Sequence, residues 1–140
     1  MTIHGFTDGA ARGNPGQGGI GVVLKDESGN VLAEGKKYLG KVTNNVAEYS
    51  ALIECLRRVN ALIGEANGFS CSKLVLHSDS ELMVRQLNGE YKVKNQELIP
   101  LHQAAKELAK RFKTITFTHV PRVLNKVADV EVNRILDEQS

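Results

Sequence analysis

The sequence has no long hydrophobic run and only two cysteines. No stretch of about 18 apolar residues occurs, and Met1 leads directly into a strand-like segment, so we expect neither a membrane span nor a signal peptide. Cys55 and Cys71 form neither a disulfide framework nor a metal-ligand spacing. We expect reduced thiols in a cytoplasmic protein, and a single disulfide between the two cysteines is the alternative. Repeats, low-complexity segments and linkers are also absent, which predicts a single domain over 1–140.

A strong excess of one charge is lacking too. The net charge is +2, and the first 70 residues carry seven basic and seven acidic side chains. The basic excess lies in the second half, in a group of lysines and arginines: Lys92, Lys94, Lys106, Lys110, Arg111 and Lys113. Such cations can meet phosphates, although a solvated helix face explains them as well.

What the sequence does have is an acid followed by a glycine-rich stretch, F-T-D-G-A-A-R-G-N-P-G-Q-G-G at 6–19. A strand-like segment ends on Asp8, and several glycines and a proline follow. Glycine is used where the backbone takes a positive φ or where another group must approach closely. We interpret the stretch as a strand that delivers Asp8 into a functional loop. A simple Asp8-Gly9 turn is the alternative.

The remaining pattern predicts an α/β protein with a mixed sheet. Strand patterns and turn clusters predict five strands, at 2–8, 20–25, 31–39, 73–77 and 114–118. Helical spacing of apolar residues predicts four helices, at 46–63, 79–88, 96–112 and 125–136. Three antiparallel strands followed by alternating helices and strands are typical of a mixed sheet flanked by helices.

Three asparagines are expected to begin helices. Asn45 would cap the first helix, and Glu48, three residues on, would complete a capping box. Asn95 would cap the helix at 96–112, with Pro100 in or near its first turn, where the missing N–H of proline matters least. Asn125 would open the last helix.

Four carboxylates lie at the ends of predicted elements: Asp8, Glu48, Asp79 and Asp129. Singly, each has an ordinary explanation as a turn residue, a capping box, an N-cap or an exposed helix charge. Together they predict a site, because strands 1 and 4 can lie parallel and adjacent. Asp8 and Asp79 would then sit side by side beyond the carboxyl ends of those strands, where such sheets bind ligands.

Clustered carboxylates indicate a bound cation. Packing several of them together is costly unless a positive charge neutralises them. Oxygen ligands suit hard ions such as Mg²⁺ or Mn²⁺. Two ions about 4 Å apart would activate a water and stabilise the leaving oxygen of a phosphodiester.

Four motifs in order resemble type 1 ribonuclease H: D-G-A-x-R-G-N-P-G at 8–16, T-N-N-x-A-E-Y at 43–49, S-D-S at 78–80 and N-x-x-A-D at 125–129. The resemblance covers essentially the whole chain. It implies a ribonuclease H-like fold, with a five-stranded mixed sheet of order 3-2-1-4-5 flanked by helices. It also implies endonucleolytic cleavage of the RNA strand of RNA–DNA hybrids, leaving 5′-phosphate and 3′-hydroxyl ends.

The same resemblance assigns site residues. Asp8, Glu48, Asp79 and Asp129 match the four acids that bind two metal ions in the family, Mg²⁺ with Mn²⁺ as a substitute. A second set matches residues that contact the substrate: Asn14, Thr43, Asn44, Asn45 and Asn125. A helix N-terminus at Asn45 agrees with phosphate binding, and a helix cap explains Asn125 equally well. The 2′-hydroxyl and the groove shape would select RNA, so no base readout is needed.

Two residues compete for an auxiliary role near the last acid. His119 lies at the spacing of a mobile histidine found in the family, whereas H-V-P-R at 119–122 resembles a variant branch in which an arginine takes its place. We favour Arg122, which can stabilise charge or aid phosphate release but cannot act as a base. His119 is equally explained as a structural residue at a strand end.

The basic helix-loop that some relatives use to grip the hybrid is missing, and Glu90-Tyr91-Lys92-Val93-Lys94 stands in its place. Lys92 and Lys94 are expected to act as a reduced version, or else as solvated loop charges. The expected partner is the RNA–DNA hybrid, with no membrane, and the expected state is a monomer. The alternatives are a non-catalytic hybrid-binding module of the same fold and a nuclease that cuts DNA.

Overall fold

A computed structural model describes residues 2–65 and 73–138, which form a five-stranded sheet with helices on both faces. The strands are β1 (Thr2–Gly13), β2 (Gly16–Lys25), β3 (Val31–Val42), β4 (Lys73–Ser78) and β5 (Ile115–His119). Their order is β3-β2-β1-β4-β5. β1 runs antiparallel to β2 and parallel to β4, and β5 continues the parallel half beside β4. The predicted mixed sheet and its order are confirmed.

The helices are α1 (Asn44–Glu65), α2 (Glu81–Leu87), α3 (Leu98–Ala109) and α4 (Lys126–Glu138), with a 3-10 turn at Arg122–Asn125 before α4. α1 and α4 lie on opposite faces of the sheet. Gly9 of β1 faces Ala47 of α1, whereas Gly21 of β2, which pairs with Asp8, faces Ala128 of α4. Side-chain directions alternate along a strand, so the positions of Gly9 and of its neighbour Asp8 face opposite sides of the sheet. Gly21, which pairs with Asp8, therefore faces the side opposite to Gly9.

The main core lies between the sheet and α1. Its largest fully buried members alternate along the strands or follow the apolar stripe of the helix: Ile3, Val22, Leu24, Leu74, Tyr49, Leu52, Leu56 and Val59. Cys55 lies in this core, fully buried with a free thiol. Cys71 lies outside the described residues. None of the described helices is both long enough and apolar enough to span a bilayer.

The stretch after Asp8 is a strand, where we had expected a loop. β1 continues to Gly13 and pairs residue by residue with β2, which begins at Gly16. Gly13 takes the positive φ, +90°, at the hairpin turn. Gly9 allows α1 to approach β1 closely, which is the other expected use of glycine, because a Cβ there would collide with the carbonyl of Ala47.

The predicted helix starts were wrong in detail. α1 is capped by Thr43, whose Oγ1 accepts a hydrogen bond from the Val46 N–H at 3.2 Å, so Asn45 is not the cap and there is no capping box. α3 begins at Leu98 behind Glu97, which makes no side-chain cap bond. Asn95 instead accepts from the Glu97 N–H at 2.8 Å and shapes the preceding turn. Pro100 does lie in the first turn.

Candidate active site

Asp8 and Asp79 lie side by side where the pairing of β1 with β4 ends, as predicted, although β1 itself continues to Gly13. Thr7 pairs with Ser78, so the next residue of each chain emerges at the same edge of the sheet. Asp8 is 4% exposed. Ser80, directly after Asp79, caps α2 by accepting from the Met83 N–H at 3.3 Å, which makes Asp79 the linking residue between strand and helix.

Glu48 reaches the same point from α1. The absence of a side chain at Gly9 lets α1 approach β1 so closely that the Gly9 N–H donates to Glu48 Oε1 at 2.5 Å. Glu48 is 7% exposed. One oxygen from each of Asp8, Glu48 and Asp79 lies within 4.8 Å of the others. Three carboxylates from a strand, a helix and a strand–helix link therefore converge.

Asp129 enters from the opposite face of the sheet. Gly21 brings α4 close to β2 in the way that Gly9 brings α1 close to β1, because a Cβ at Gly21 would collide with the Ala128 carbonyl. Arg122 lies 3.4 Å from Asp129 Oδ1. Asn133 donates to the Asp129 carbonyl at 3.1 Å and to Oδ2 at 3.4 Å. Both carboxylate oxygens of Asp129 thus have a partner in the protein.

The crowding of these acids changes their protonation. Burial, followed by the charges of Asp79 and Asp129, raises the pKa of Asp8 from 3.8 to about 8. Burial and the charges of Asp8 and Asp79 hold the pKa of Glu48 well above its usual value. The Arg122 pKa is raised by the charge of Asp129 first, and then by Asp8 and Asp79. The carboxylates therefore disfavour ionising together, and a proton or a bound cation would relieve their repulsion.

The three converging carboxylates fit a divalent cation. They offer hard oxygen donors, as Mg²⁺ and Mn²⁺ prefer. Asp8 Oδ2 is one of two buried side-chain oxygens within residues 2–65 and 73–138 that lack a hydrogen-bond partner. A buried anionic oxygen without a donor is costly, and a cation would supply the missing interaction. The cluster opens into a cleft of about 370 Å³ lined also by Asn44, Asn45, Ser80 and Arg122.

Comparison with known proteins identifies the family. The sequence model of the reverse transcriptase-like family matches residues 6–135. Ribonuclease HI of Halobacterium salinarum is 38% identical over 136 residues, covering 97% of this chain and 65% of that protein. The crystal structure of LC11-RNase H1 in complex with RNA/DNA hybrid matches with a TM-score of 0.91 at 40% identity, covering 98% of both chains. This chain belongs to the reverse transcriptase-like family, as a type 1 ribonuclease H.

The chain spans only part of the length of several curated relatives. It covers 65% of the Halobacterium salinarum protein. It covers 34% of a bifunctional protein of Mycobacterium tuberculosis, to which it is 40% identical over 131 residues.

The four residues expected to contact substrate at the α1 end do lie together in the structure. Asn14, in the β1–β2 turn, accepts the Asn44 N–H at 3.0 Å, and Asn44 in turn accepts the Ala11 N–H at 2.8 Å. These bonds tie the hairpin to the start of α1. Asn44 and Asn45 are exposed and line the cleft, and Thr43 lies just before them as the cap. The helix N-terminus therefore faces the acidic cluster from one side.

Asn125 lies inside the protein. It is fully buried, and its Nδ2 donates to the carbonyl of Thr7 at 2.7 Å, one residue before Asp8. It neither caps α4 nor reaches the surface, so a direct substrate contact does not fit this position. Its Oδ1 is the second buried oxygen that lacks a partner within the described residues. Asn125 instead holds the turn that carries Arg122 against β1 beside Asp8.

The competing auxiliary residues are separated by the structure. Arg122 lines the acidic cleft, whereas His119 is exposed at the end of β5 and lines a neighbouring depression with Glu81, Arg85 and Asn88. Lys92 and Lys94 are exposed in the segment between α2 and α3. Lys92 borders a further cleft with Tyr91 and Lys106.

Sequence reasoning missed one residue beside the four acids, Asn133. It lies one helical turn after Asp129, a spacing that places two side chains on the same face of a helix. The spacing predicts that Asn133 and Asp129 are neighbours on the helix, but it bears on the site only once α4 is known to present Asp129 to the other acids.

Proposed function

We propose that this ribonuclease H hydrolyses the RNA strand of RNA–DNA hybrids as a metal-dependent endonuclease, leaving 5′-phosphate and 3′-hydroxyl ends. The observation that carries the proposal is the convergence of Asp8, Glu48 and Asp79 within 4.8 Å, with a buried Asp8 oxygen for which the described residues supply no donor. The relative bound to an RNA/DNA hybrid supports the choice of substrate.

The acids have distinct roles in this proposal. Asp8, Glu48 and Asp79 would hold a divalent cation, and Asp129 would hold a second one together with Asp8. We expect Mg²⁺, with Mn²⁺ as a substitute. When bound, such cations polarise the scissile phosphate and lower the pKa of the attacking water. The protein contributes rigidity, because the carboxylates are carried by packed elements: Asp8 by β1, Glu48 by α1, Asp79 by the β4–α2 link and Asp129 by α4.

The groups around the cleft would orient the hybrid. The N-terminal N–H groups of α1 and the amides of Asn44 and Asn45 suit a backbone phosphate of the DNA strand. Asn14 is fixed beside them through its bond to Asn44. Lys92 and Lys94 would add contacts with phosphates further along the duplex. Recognition of the 2′-hydroxyl would restrict cleavage to RNA.

Arg122 suits the auxiliary role better than His119. Its side chain lines the cleft and is 75% exposed, so its guanidinium can reach a phosphate oxygen and stabilise developing charge there. His119 opens into a different depression. The monomeric state and the cytoplasmic location inferred from the sequence stay predictions.

The test is cleavage of an RNA–DNA hybrid with each strand labelled in turn, in Mg²⁺, in Mn²⁺ and in EDTA. We expect cleavage of the RNA strand only, lost in EDTA and in Asp8→Asn. Intact RNA with hybrid still bound, in every metal, would support the non-catalytic binding module instead. Equal cleavage of the DNA strand would support a DNA-cutting nuclease.

A further inference from the structure

The fourth acid is held differently from the other three. Asp8, Glu48 and Asp79 form a set of mutually close oxygens, and Asp129 is not part of that set in the described residues. Its Oδ1 lies 3.4 Å from the Arg122 guanidinium, and its Oδ2 accepts from Asn133 at 3.4 Å. Asp129 is therefore already paired with a cation of the protein itself.

Arg122 brings a positive charge to the lining of the cleft. Among the residues that line it, Arg122 is the cationic side chain facing three carboxylates, Asp8, Glu48 and Asp79. It is 75% exposed and rests on the 3-10 turn at Arg122–Asn125. A long, exposed side chain can leave without any change in the backbone. Asn133 is anchored by a second bond to the Asp129 carbonyl and can keep Asp129 in place when the arginine moves.

We propose that Arg122 is a resident counter-cation that competes with the second divalent ion for Asp129. The proposal rests on the proposed function, since that function requires ions at these acids. The three-carboxylate set would accept one ion with Arg122 in place. Occupation of Asp129 by a second ion would require Arg122 to swing away, which frees its guanidinium for a substrate phosphate. Binding of a metal ion at Asp129 would thus make the Arg122 guanidinium available to bind phosphate.

The direct test is a Mn²⁺ titration followed by the electron paramagnetic resonance signal of free Mn²⁺, without substrate, at low ionic strength. Wild type should show one stronger and one weaker class of site. Arg122→Ala and Arg122→Gln should tighten the weaker class by about threefold to fivefold, the size expected for loss of an exposed ion pair. Arg122→Lys, which keeps the charge, should stay near wild type.

The control is Arg85→Gln, which removes the same charge from an arginine–carboxylate pair outside the acidic cleft, with Glu81. It should leave both Mn²⁺ classes within a factor of about two. Superimposable isotherms for wild type, Arg122→Ala and Arg122→Gln would overturn the inference, and so would an equal shift in Arg85→Gln or a single class of site in every variant.

The titration separates this inference from the proposed function. Cleavage of the hybrid together with unchanged isotherms would refute the competition for Asp129 and support the ribonuclease activity. Tighter Mn²⁺ binding in the Arg122 variants, with no cleavage by wild type, would support the competition and refute the activity.

Discussion

Asp8 carries a large electrostatic cost. Its carboxylate is buried, faces Asp79 and Asp129, and has an oxygen without a donor in the described residues. Active-site groups often combine burial with like charges in this way. The resulting rise in the Asp8 pKa is a statement about stability in the absence of metal, and its direction can be worked out.

Metal-free Asp8→Asn should be more stable than metal-free wild type at high pH. The folded-state pKa is raised from 3.8 to about 8, so ionisation of Asp8 progressively lowers the stability of the wild-type protein as pH rises from 4 through 8. The asparagine variant does not ionise and avoids this loss. We expect a gain of more than about 1 kcal/mol in the free energy of unfolding at pH 8.5, because one pKa unit corresponds to about 1.4 kcal/mol.

The check is urea unfolding of both proteins in EDTA at pH 4 and pH 8.5. The difference should vanish at pH 4, where Asp8 is protonated in wild type. Asp26 provides a control of opposite sign, because backbone hydrogen bonds from the 26–30 turn lower its pKa. Asp26→Asn should therefore be less stable than wild type at both pH values, because a lowered pKa stabilises the folded wild type at and above the ordinary pKa. An Asp8→Asn protein that is the less stable one at pH 8.5 would contradict this account.

Asn133 is a positioning residue for Asp129. Its amide contacts Oδ2 of that carboxylate and has no direct place in the cleft lining. Removing a group that orients a metal-binding carboxylate typically costs about 10-fold to 100-fold in metal affinity or activity. Asn133→Ala should lower kcat on the hybrid by about tenfold at limiting Mg²⁺ and leave KM for the hybrid unchanged.

Because Asn133 is exposed, the substitution should change the free energy of unfolding by no more than about 0.5 kcal/mol. Urea unfolding alongside the kinetics distinguishes positioning from stability. An unchanged kcat, or a loss that matches the unfolded fraction, would rule out the positioning role.

At the scale of elements, two glycines determine how far the helices approach the sheet. Gly9 admits α1 and with it Glu48, and Gly21 admits α4 and with it Asp129. Each is the residue at which a Cβ would meet a helix backbone carbonyl. The acids of the site therefore depend on strand positions that carry no functional group.

Gly21→Ala should push α4 away from β2. The added Cβ would collide with the Ala128 carbonyl and lie 2.7 Å from Glu131 Cβ. Overpacking of this kind costs about 1–3 kcal/mol. Displacement of α4 should also weaken binding at Asp129, so the second class of Mn²⁺ sites should be lost.

Gly29→Ala is the matched control, because Gly29 has a φ of +87° in an exposed turn and nothing lies within 4 Å of an added Cβ. It should lose stability through backbone strain and keep both Mn²⁺ classes. Retention of both classes in Gly21→Ala would show that α4 does not depend on this close approach.

The start of α1 can be tested by comparing two neighbouring residues. Thr43→Val removes the hydroxyl that accepts from Val46 and should cost about 1 kcal/mol in the free energy of unfolding. Asn45→Ala removes no cap and should cost less than about 0.5 kcal/mol. Asn45→Ala should instead weaken binding to the hybrid. The opposite order of stabilities would restore Asn45 as the cap.

Across the whole molecule, the charges are nearly balanced but unevenly placed. The net charge is +2, and the acids of the cleft concentrate negative charge at one edge of the sheet. A hybrid duplex would be repelled there unless cations are bound. Affinity must therefore come from bound metal ions and from positive groups around the cleft.

The double variant Lys92→Ala/Lys94→Ala should bind the hybrid more weakly and with less dependence on salt. Each phosphate contact contributes about 0.9 to the slope of log affinity against log salt concentration, so the slope should fall by between about 1 and 2. Binding in Ca²⁺ over a range of KCl concentrations measures it. Lys110→Ala, from the exposed pair with Glu107, is the control. An unchanged slope would mark Lys92 and Lys94 as solvated loop charges.

Local pattern was sufficient to predict the main elements and their order along the chain, and it singled out four acids for the proposed site. Alternation along strands and helical spacing in 46–63 are properties of neighbouring residues. The motif order 8–16, 43–49, 78–80 and 125–129 then predicted the family. Even the adjacency of Asp8 and Asp79 followed from the expected parallel pairing of strands 1 and 4.

What only the tertiary structure decided depends on distant contacts. Thr43 rather than Asn45 caps α1, and Glu48 bonds to Gly9 rather than to its own helix start. Asn125, expected at a helix start or at the substrate, is fixed to Thr7, 118 residues away. Arg122 and Asn133 share Asp129 because α4 is packed against the sheet at Gly21. A sequence displays each donor and acceptor, but several partners are always available to it. Burial and packing select one of them, because a buried polar group must be satisfied by whatever the fold brings within reach.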